Sequence, residues 1–285
     1  MPAGGTLYVV ATPIGNLGDV TLRALDVLRA VPLIAAEDTR ISQRLLARYE
    51  IATRTTSFHA RSGPGRLAEL LVHLRSGADL ALVTDAGTPV VSDPGGELVA
   101  AWAAEGGVVV PIPGASAVLA ALVASGIAGP RWGFEGFLPR SGRERRERLA
   151  RVAADDRATV LYEAPSRVGA TLRDLAAACG PDRQAAVCRE LTKLHEQVVR
   201  DSLADLAAAV ADGSIPARGE FALVIAGKPS SPDLEDAATT PTSATVRAAR
   251  ARVDALVRDG VARPEAARLI AAESGLSRRD LYRSE

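Results

Sequence analysis

Cysteine, methionine and aromatic residues are scarce in this chain: two Cys, one Met and 4% Phe, Trp and Tyr among 285 residues. Cys179 and Cys188 form no C-x-x-C pair, so neither a disulfide framework nor a structural zinc site is suggested, and a reducing compartment fits. The three histidines, His59, His73 and His195, stand far apart, so no metal constellation is expected. No apolar run approaches the ~18 residues of a membrane span, and the opening MPAGGTLYVVAT lacks a basic region ahead of a signal-type core. A cytoplasmic protein without membrane contact is the expectation. Net charge is absent too, with 34 basic and 34 acidic residues. The G-x-G-x-x-G fingerprint, a Walker lysine and a G-x-S-x-G elbow are all missing, which argues against dinucleotide binding, nucleotide triphosphate hydrolysis and serine hydrolysis.

What is present is alternation. Apolar runs of strand length alternate with stretches of helical period, the pattern of α/β folding with crossover helices. In the first half, LYVVAT, PLIAAEDT, TTSFHA, DLALVTDAG and GGVVVPIPGAS read as strands. Between them, Leu22, Leu25 and Leu28, and then Leu67, Leu70, Leu71 and Leu74, mark helical faces. In the second half the strands are WGFEGFLP, ATVLYEA, QAAVCREL, EQVVRDS and GEFALVIAG. Two of these lie so close around Lys193 and His195 that no crossover helix fits, so they pair antiparallel and the second sheet is mixed. The chain divides into an N-terminal α/β domain at 1–117, a second α/β domain at 118–227, a linker at 228–243 rich in Pro, Ser, Thr and acid, and a helix-turn-helix-like module at 244–285 with Ser277 as an N-cap. The fold class is two α/β lobes with a ligand cleft between them, plus a small C-terminal helical module.

Charge is unevenly placed despite the zero balance. Residues 139–151 hold six arginines against two glutamates. This is either a solvated helix face or a contact to nucleic-acid phosphates. The C-terminal module has nine arginines and six acidic residues, which suits nucleic-acid contact or a dimerisation or lid helix pair.

The chemistry gathers in the loops after the strands, where open α/β sheets bind ligands. DAGTPVVSDPG, residues 85–95, packs two carboxylates, two prolines and two glycines into eleven residues. One strand-to-helix turn does not require two such clusters. Gly87 permits close backbone approach to a ligand and Pro89 fixes the chain direction. With ATPIGNLGDVTLRAL, AAEDTR, PIPGASA and LYEAPSR, this stretch resembles the ribosomal RNA small subunit methyltransferase I family of the tetrapyrrole-methylase superfamily, over about residues 6–227.

The resemblance implies S-adenosylmethionine-dependent 2′-O-methylation of a cytidine in 16S rRNA of the small ribosomal subunit, with a homodimer expected. The methyl donor would be held by Asp85, Ala86, Gly87, Thr88 and Val91 on one side and by Ser116 and Ala117 after the Pro-Gly turn. Tyr162, Glu163, Ala164 and Leu191, with Pro216 and Ala217, would frame the adenine. Pro13, Asn16, Leu17 and Asp19 would face the acceptor, and Arg40 and Arg167 would neutralise phosphate. Glu37, Asp38 and Lys193 are the candidates for taking the proton of the ribose hydroxyl. The alternative on the same scaffold is a tetrapyrrole C-methyltransferase. Ala86-Gly87-Thr88-Pro89, where tetrapyrrole-modifying relatives usually show G-G-D-P, weighs against it. A non-catalytic ribosome-assembly module is the rival from another class; it would not bind the donor.

Overall fold

The computed structural model describes residues 4–127, 129–229, 243–258, 260–274, 276 and 281. They fall into two compact units, within Met1–Lys228 and Pro229–Glu285.

The larger unit is built on two five-stranded sheets. Strands β1 (Thr6–Val10), β2 (Leu33–Ala36), β3 (Thr55–Ser57), β4 (Leu80–Val83) and β5 (Val108–Ile112) form the first, in the order β3-β2-β4-β1-β5. Every pairing in it is parallel. Burial on both faces explains why β4 is four buried residues in a row, Leu80 to Val83. Helices α1 (Leu22–Ala30) and α2 (Thr39–Arg48) cover one face through Ala24, Leu25, Leu28, Leu45 and Leu46. Helices α3 (Pro64–Arg75) and α4 (Gly96–Ala104) cover the other through Leu70, Leu71, Leu74, Leu98 and Trp102. The chain therefore leaves the neighbouring strands β1 and β4 toward opposite faces. That is the topological switch point at which such sheets open a crevice.

The second sheet contains β6 (Trp132–Phe137), β7 (Ala158–Glu163), β8 (Gln184–Arg189), β9 (Gln197–Ser202) and β10 (Phe221–Ile225), ordered β6-β7-β10-β8-β9. Only β6 and β7 run parallel; β8 and β9 form the expected antiparallel pair, and β10 is antiparallel to both its neighbours. Helix α5 (Ala117–Ser125) lies on one face through Val118, Ala121 and Leu122. Helices α6 (Gly142–Ala154), α7 (Val168–Cys179) and α8 (Leu203–Ala211) cover the other through residues such as Leu149, Leu172 and Leu206.

In the smaller unit, α9 (Ser243–Arg258) and α10 (Arg263–Ser274) share an apolar seam that includes Ala249, Val253, Ala266, Ala267 and Ile270. Arg263 reaches back to Asp254 at 2.5 Å. Most of the 228–243 linker, and the turn and helix start at Gly275 and Ser277, lie outside the described residues. No described helix is long and apolar enough to cross a membrane.

The arginine-rich stretch 139–151 is used partly inside the protein and partly in surface pairs. Arg145 is buried and bonds Asp174 at 2.7 Å, Thr171 Oγ1 at 3.0 Å and the Pro139 carbonyl at 2.9 Å. Arg148 pairs with Glu135 at 2.9 Å, and Arg143 with Glu147 at 2.5 Å. Two of the six arginines, Arg145 and Arg148, are thus internal wiring of the second lobe, while Arg140, Arg143, Arg146 and Arg151 stay exposed.

Candidate functional site

Three loops meet at the switch point. Past β1, the backbone of Thr12 exchanges hydrogen bonds with Gly87 at 2.8 and 3.0 Å, which clips the first loop to the Asp85–Gly95 turn. The Thr12 hydroxyl donates to the Thr84 carbonyl at 3.0 Å. Asn16 caps a 3-10 turn at Leu17–Asp19, and the Tyr49 hydroxyl donates to the Leu17 carbonyl at 2.9 Å, tying the loop to the end of α2.

The Asp85–Gly95 turn is strained. Gly87 and Gly95 have φ of 81° and 114°, but so do two residues with side chains: Val90 at 76° and Ser92 at 65°. A β-branched residue there costs of order 1–3 kcal/mol, and such outliers persist where the surroundings over-determine the backbone. Gly95 is obligatory, because a Cβ would stand 2.6 Å from Leu82 Cδ2. Ser92 lies against the second lobe, where a Cβ in place of Gly136 on β6 would stand 2.9 Å from its hydroxyl.

Between the lobes lies a cavity of about 370 Å³, within the range of small-molecule sites. Ile14, Ala86, Gly87, Thr88, Val91, Ser92 and Asp93 line it from the first lobe, and Ser116 and Ala117 from the start of α5. Phe137, Tyr162, Glu163, Ala164, Cys188 and Leu191 line the opposite wall. Ten of the thirteen residues expected to hold the donor therefore meet here. Tyr162 is flanked by Phe134 and Phe137, with ring centroids 5.0 and 5.6 Å away. The loop carrying Leu191 is strained as well, with Glu190 and Thr192 at φ of 52° and 68°.

Three expected donor contacts sit elsewhere. Pro216 and Ala217 do not line this cavity; Gly219, Glu220, Phe221 and Ala222 take their place, because the chain must pass them to enter β10. Asp85 faces a neighbouring cavity, and its Oδ1 accepts from the Asp38 amide at 3.0 Å. Glu163 contributes wall but not its carboxylate, which is buried and accepts from Thr171 Oγ1 at 2.6 Å and the Ala164 amide at 2.8 Å, with Arg167 Nε at 3.2 Å. Arg167 also donates to the Leu138 carbonyl at 2.6 Å, so it braces the β7–α7 turn instead of offering its charge to phosphate.

The candidates for proton transfer also separate. Asp38 caps α2 and binds its own Arg40 at 2.5 Å; that hydrogen-bonded guanidinium holds its carboxyl down at about 2, too weak a base for the task. Lys193 bonds Glu190 and Glu220, both at 2.9 Å. Burial alone would lower its pKa, but the two carboxylates outweigh burial and raise it, so the amine stays protonated. Burial, reinforced by the charge of Asp85 and opposed by the Asp85 amide at 3.3 Å, pushes the Glu37 carboxyl up. The residue that sequence reasoning missed is Asp93. It lines the cavity, has no hydrogen bond or ion pair among the described residues, and is pushed up to about 7 by burial and then by the charges of Glu37 and Asp85. Its signal was the second half of DAGTPVVSDPG, a cluster that one strand-to-helix turn does not require, read without a role for its acid. Burial raises the Cys188 thiol to about 11, which keeps it from acting as a nucleophile.

Two mixed or parallel sheets clasping an apolar cleft at a switch point define a two-lobed α/β protein with a small-molecule site between its lobes. Comparisons place the chain more narrowly. The family model described as Tetrapyrrole (Corrin/Porphyrin) Methylases matches residues 6–207. Ribosomal RNA small subunit methyltransferase I of Synechocystis sp. is 47% identical over 278 residues, 98% of this chain and 96% of that relative. Among solved structures, a cobalamin biosynthetic enzyme, cobalt precorrin-4 methyltransferase, aligns with a TM-score of 0.61 at 20% identity, over 78% of this chain and 94% of the other. Uroporphyrin-III C-methyl transferase from Thermus thermophilus, crystallised with S-adenyl homocysteine, aligns with a TM-score of 0.58 at 21% identity, over 78% of this chain and 97% of the other. The chain belongs to the tetrapyrrole methylase family and, within it, to the ribosomal RNA small subunit methyltransferase I group.

Proposed function

We propose that this chain is an S-adenosylmethionine-dependent methyltransferase that methylates the ribose 2′-oxygen of a cytidine in 16S rRNA of the small ribosomal subunit. The observation that carries this reading is the interlobe cavity, which unites ten of the donor contacts implied by the family motifs. Its chemistry fits the donor. Tyr162, Phe137 and Leu191 offer flat and apolar surface for an adenine, the turn at Ala86–Thr88 presents backbone, and the unpaired Asp93 supplies negative charge to a cationic ligand.

When bound there, the donor supplies a methyl group on a positively charged sulfur. The oxygen–carbon bond forms as the carbon–sulfur bond breaks with its electron pair leaving on sulfur, and the hydroxyl proton must go to a base. The protein's part is alignment, with reacting atoms brought to about 3–3.5 Å, and proton acceptance. Asp93 takes the proton in this reading, since a carboxyl titrating at about 7 is matched to neutral pH. Burial, with the charge of Asp93, holds the Tyr162 phenol up at about 12, so it remains a neutral wall. Arg40, whose side chain is 88% exposed, is the phosphate contact retained from the sequence reading.

The tetrapyrrole alternative loses ground because the full-length relatives are ribosomal RNA methyltransferases. A cytoplasmic location and homodimerisation complete the reading, the latter checked by sedimentation. The deciding experiment incubates the protein with labelled donor and unmethylated small ribosomal subunits, or uroporphyrinogen, and maps the product by mass. Label on a cytidine ribose supports the proposal, and label only on the tetrapyrrole defeats it.

A further inference from the structure

A second cavity, of about 260 Å³, opens beside the first and shares Ile14, Ala86 and Glu220 with it. It enters the first lobe between the Pro13–Leu17 loop and α2, with Ile41, Leu45 and Val83 among its apolar walls. Lys193 reaches it from the second lobe, its stem lying so close to Gly15 that a Cβ there would meet Lys193 Cγ at 2.4 Å.

Its polar lining is unusual. Ser42 and Thr84 both line it, are 7% and 1% exposed, and have buried hydroxyls with no hydrogen-bond partner. An unsatisfied buried hydroxyl is costly and calls for an explanation such as a ligand. Asp85 lines it as well, with one carboxylate oxygen engaged by the Asp38 amide.

The approach is basic. Arg40, Arg44 and Arg48 recur every four residues along α2, all exposed, and Arg44 is itself part of the cavity rim. Residues spaced by four share one helix face, so this is a row of guanidinium groups leading to a small, mostly apolar hole with a few polar groups inside.

We infer that this second cavity is a base pocket: it takes one cytosine, turned out of the RNA stack, while the α2 arginines hold the flanking phosphates. The inference rests on the ribose-methylation reading and adds to it the group that recognises the target. Enzymes that do chemistry on a base extract it and read its Watson–Crick edge in a fitted pocket; the same device here selects the nucleotide whose ribose is methylated. The Asp85 carboxylate accepts from the exocyclic amine of cytosine, and the Ser42 and Thr84 hydroxyls donate to its ring nitrogen and carbonyl. Uracil would turn a carbonyl toward the carboxylate and be rejected by repulsion. With the base here, its ribose lies at the shared wall of Ile14 and Ala86, next to the cavity assigned to the donor.

The test uses the full chain, Thr84→Val and Ser42→Ala, and a Ser42→Thr control that keeps the hydroxyl. Small subunits are reconstituted with either cytidine or uridine at the mapped target. Donor affinity is read by calorimetry, subunit affinity by filter binding and transfer as kcat/KM. The wild type is expected to prefer cytidine by about tenfold or more, and each hydroxyl deletion to shrink that preference by at least about fivefold. Donor affinity should stay within about twofold, because neither residue lines the first cavity. Variants that keep the wild-type preference, or a wild type without one, overturn the pocket. A wild type that binds no donor and transfers nothing removes the methylation reading itself, a distinct result.

Discussion

Two helices of this molecule carry conspicuous arginines, and they use them in opposite ways. On α6, Arg145 is buried against Asp174 and Thr171, Arg148 holds Glu135, and Arg143 holds Glu147. On α2, Arg40, Arg44 and Arg48 face solvent in a row beside a cavity, with only Asp38 as an acidic partner to Arg40. The buried pair Arg145 and Arg148 is architecture, while the exposed α2 row is placed to meet a partner. Local charge count does not mark an interface; exposure and the cavity beside it do.

The sharpest way to break this contrast is Arg145→Ala. It leaves Asp174 and Thr171 short of a donor inside the second lobe, and should cost about 3 kcal/mol, read as a shift in the denaturation midpoint with donor contacts otherwise intact. A loss below about 1 kcal/mol would show α6 to be an ordinary solvated helix after all. The matching change on α2, Arg44→Ala with Arg48→Ala, should leave stability within about 0.5 kcal/mol. It should weaken binding to small subunits by about tenfold and lower the salt slope by about two. An unchanged salt slope would place the phosphate track elsewhere.

Asp93 gives a pH-dependent test of the donor cleft that adjoins the cavity bordered by the α2 row. Its folded-state value of about 7 lies above the ordinary 3.8, so folding favours the protonated form. That contribution is fully present at low pH and is lost as the pH rises from about 4 through 7. Asp93→Asn should therefore raise the melting temperature by a few degrees at about pH 8 and change it little at about pH 4, while removing the pH dependence of transfer near neutrality. Equal effects at both pH values would mean that the carboxylate is solvated. Smallest of all is Arg146→Ala: this exposed α6 residue has no ion pair among the described residues. Thermal stability should move by less than about 0.5 kcal/mol and subunit affinity should stay as it was; a lower affinity would restore an RNA role to α6.

Ten strands were legible in the sequence, most of them as short β-rich runs with Gly, Pro or Asp nearby, and the antiparallel turn near Lys193 followed from spacing alone. Of the site, Ala86, Gly87 and Ser116, which the family resemblance implied as donor contacts, line the interlobe cavity, and Gly87 alone could be argued from its turn chemistry. Pro216 and Ala217 were placed one turn too early, because only the run-in to β10 decides which residues reach the cleft. Asp38 and Arg167 share one feature the sequence did not show: a charged side chain beside a helix start is engaged by its own neighbours, at 2.5 Å to Arg40 and 3.2 Å to Glu163.

By itself, the sequence determined the local structure: strand against helix, the glycine and proline turns after β1, β4 and β5, and the family those turns declare. These depend on periodicity and φ preferences, which act over a few residues. The tertiary structure decided which charges were left over once folding had paired the rest. It isolated Asp93, turned Lys193 into a permanently charged strut and left two hydroxyls without partners beside Asp85. Burial and partner distance are set by segments dozens of residues apart, and no local pattern encodes them.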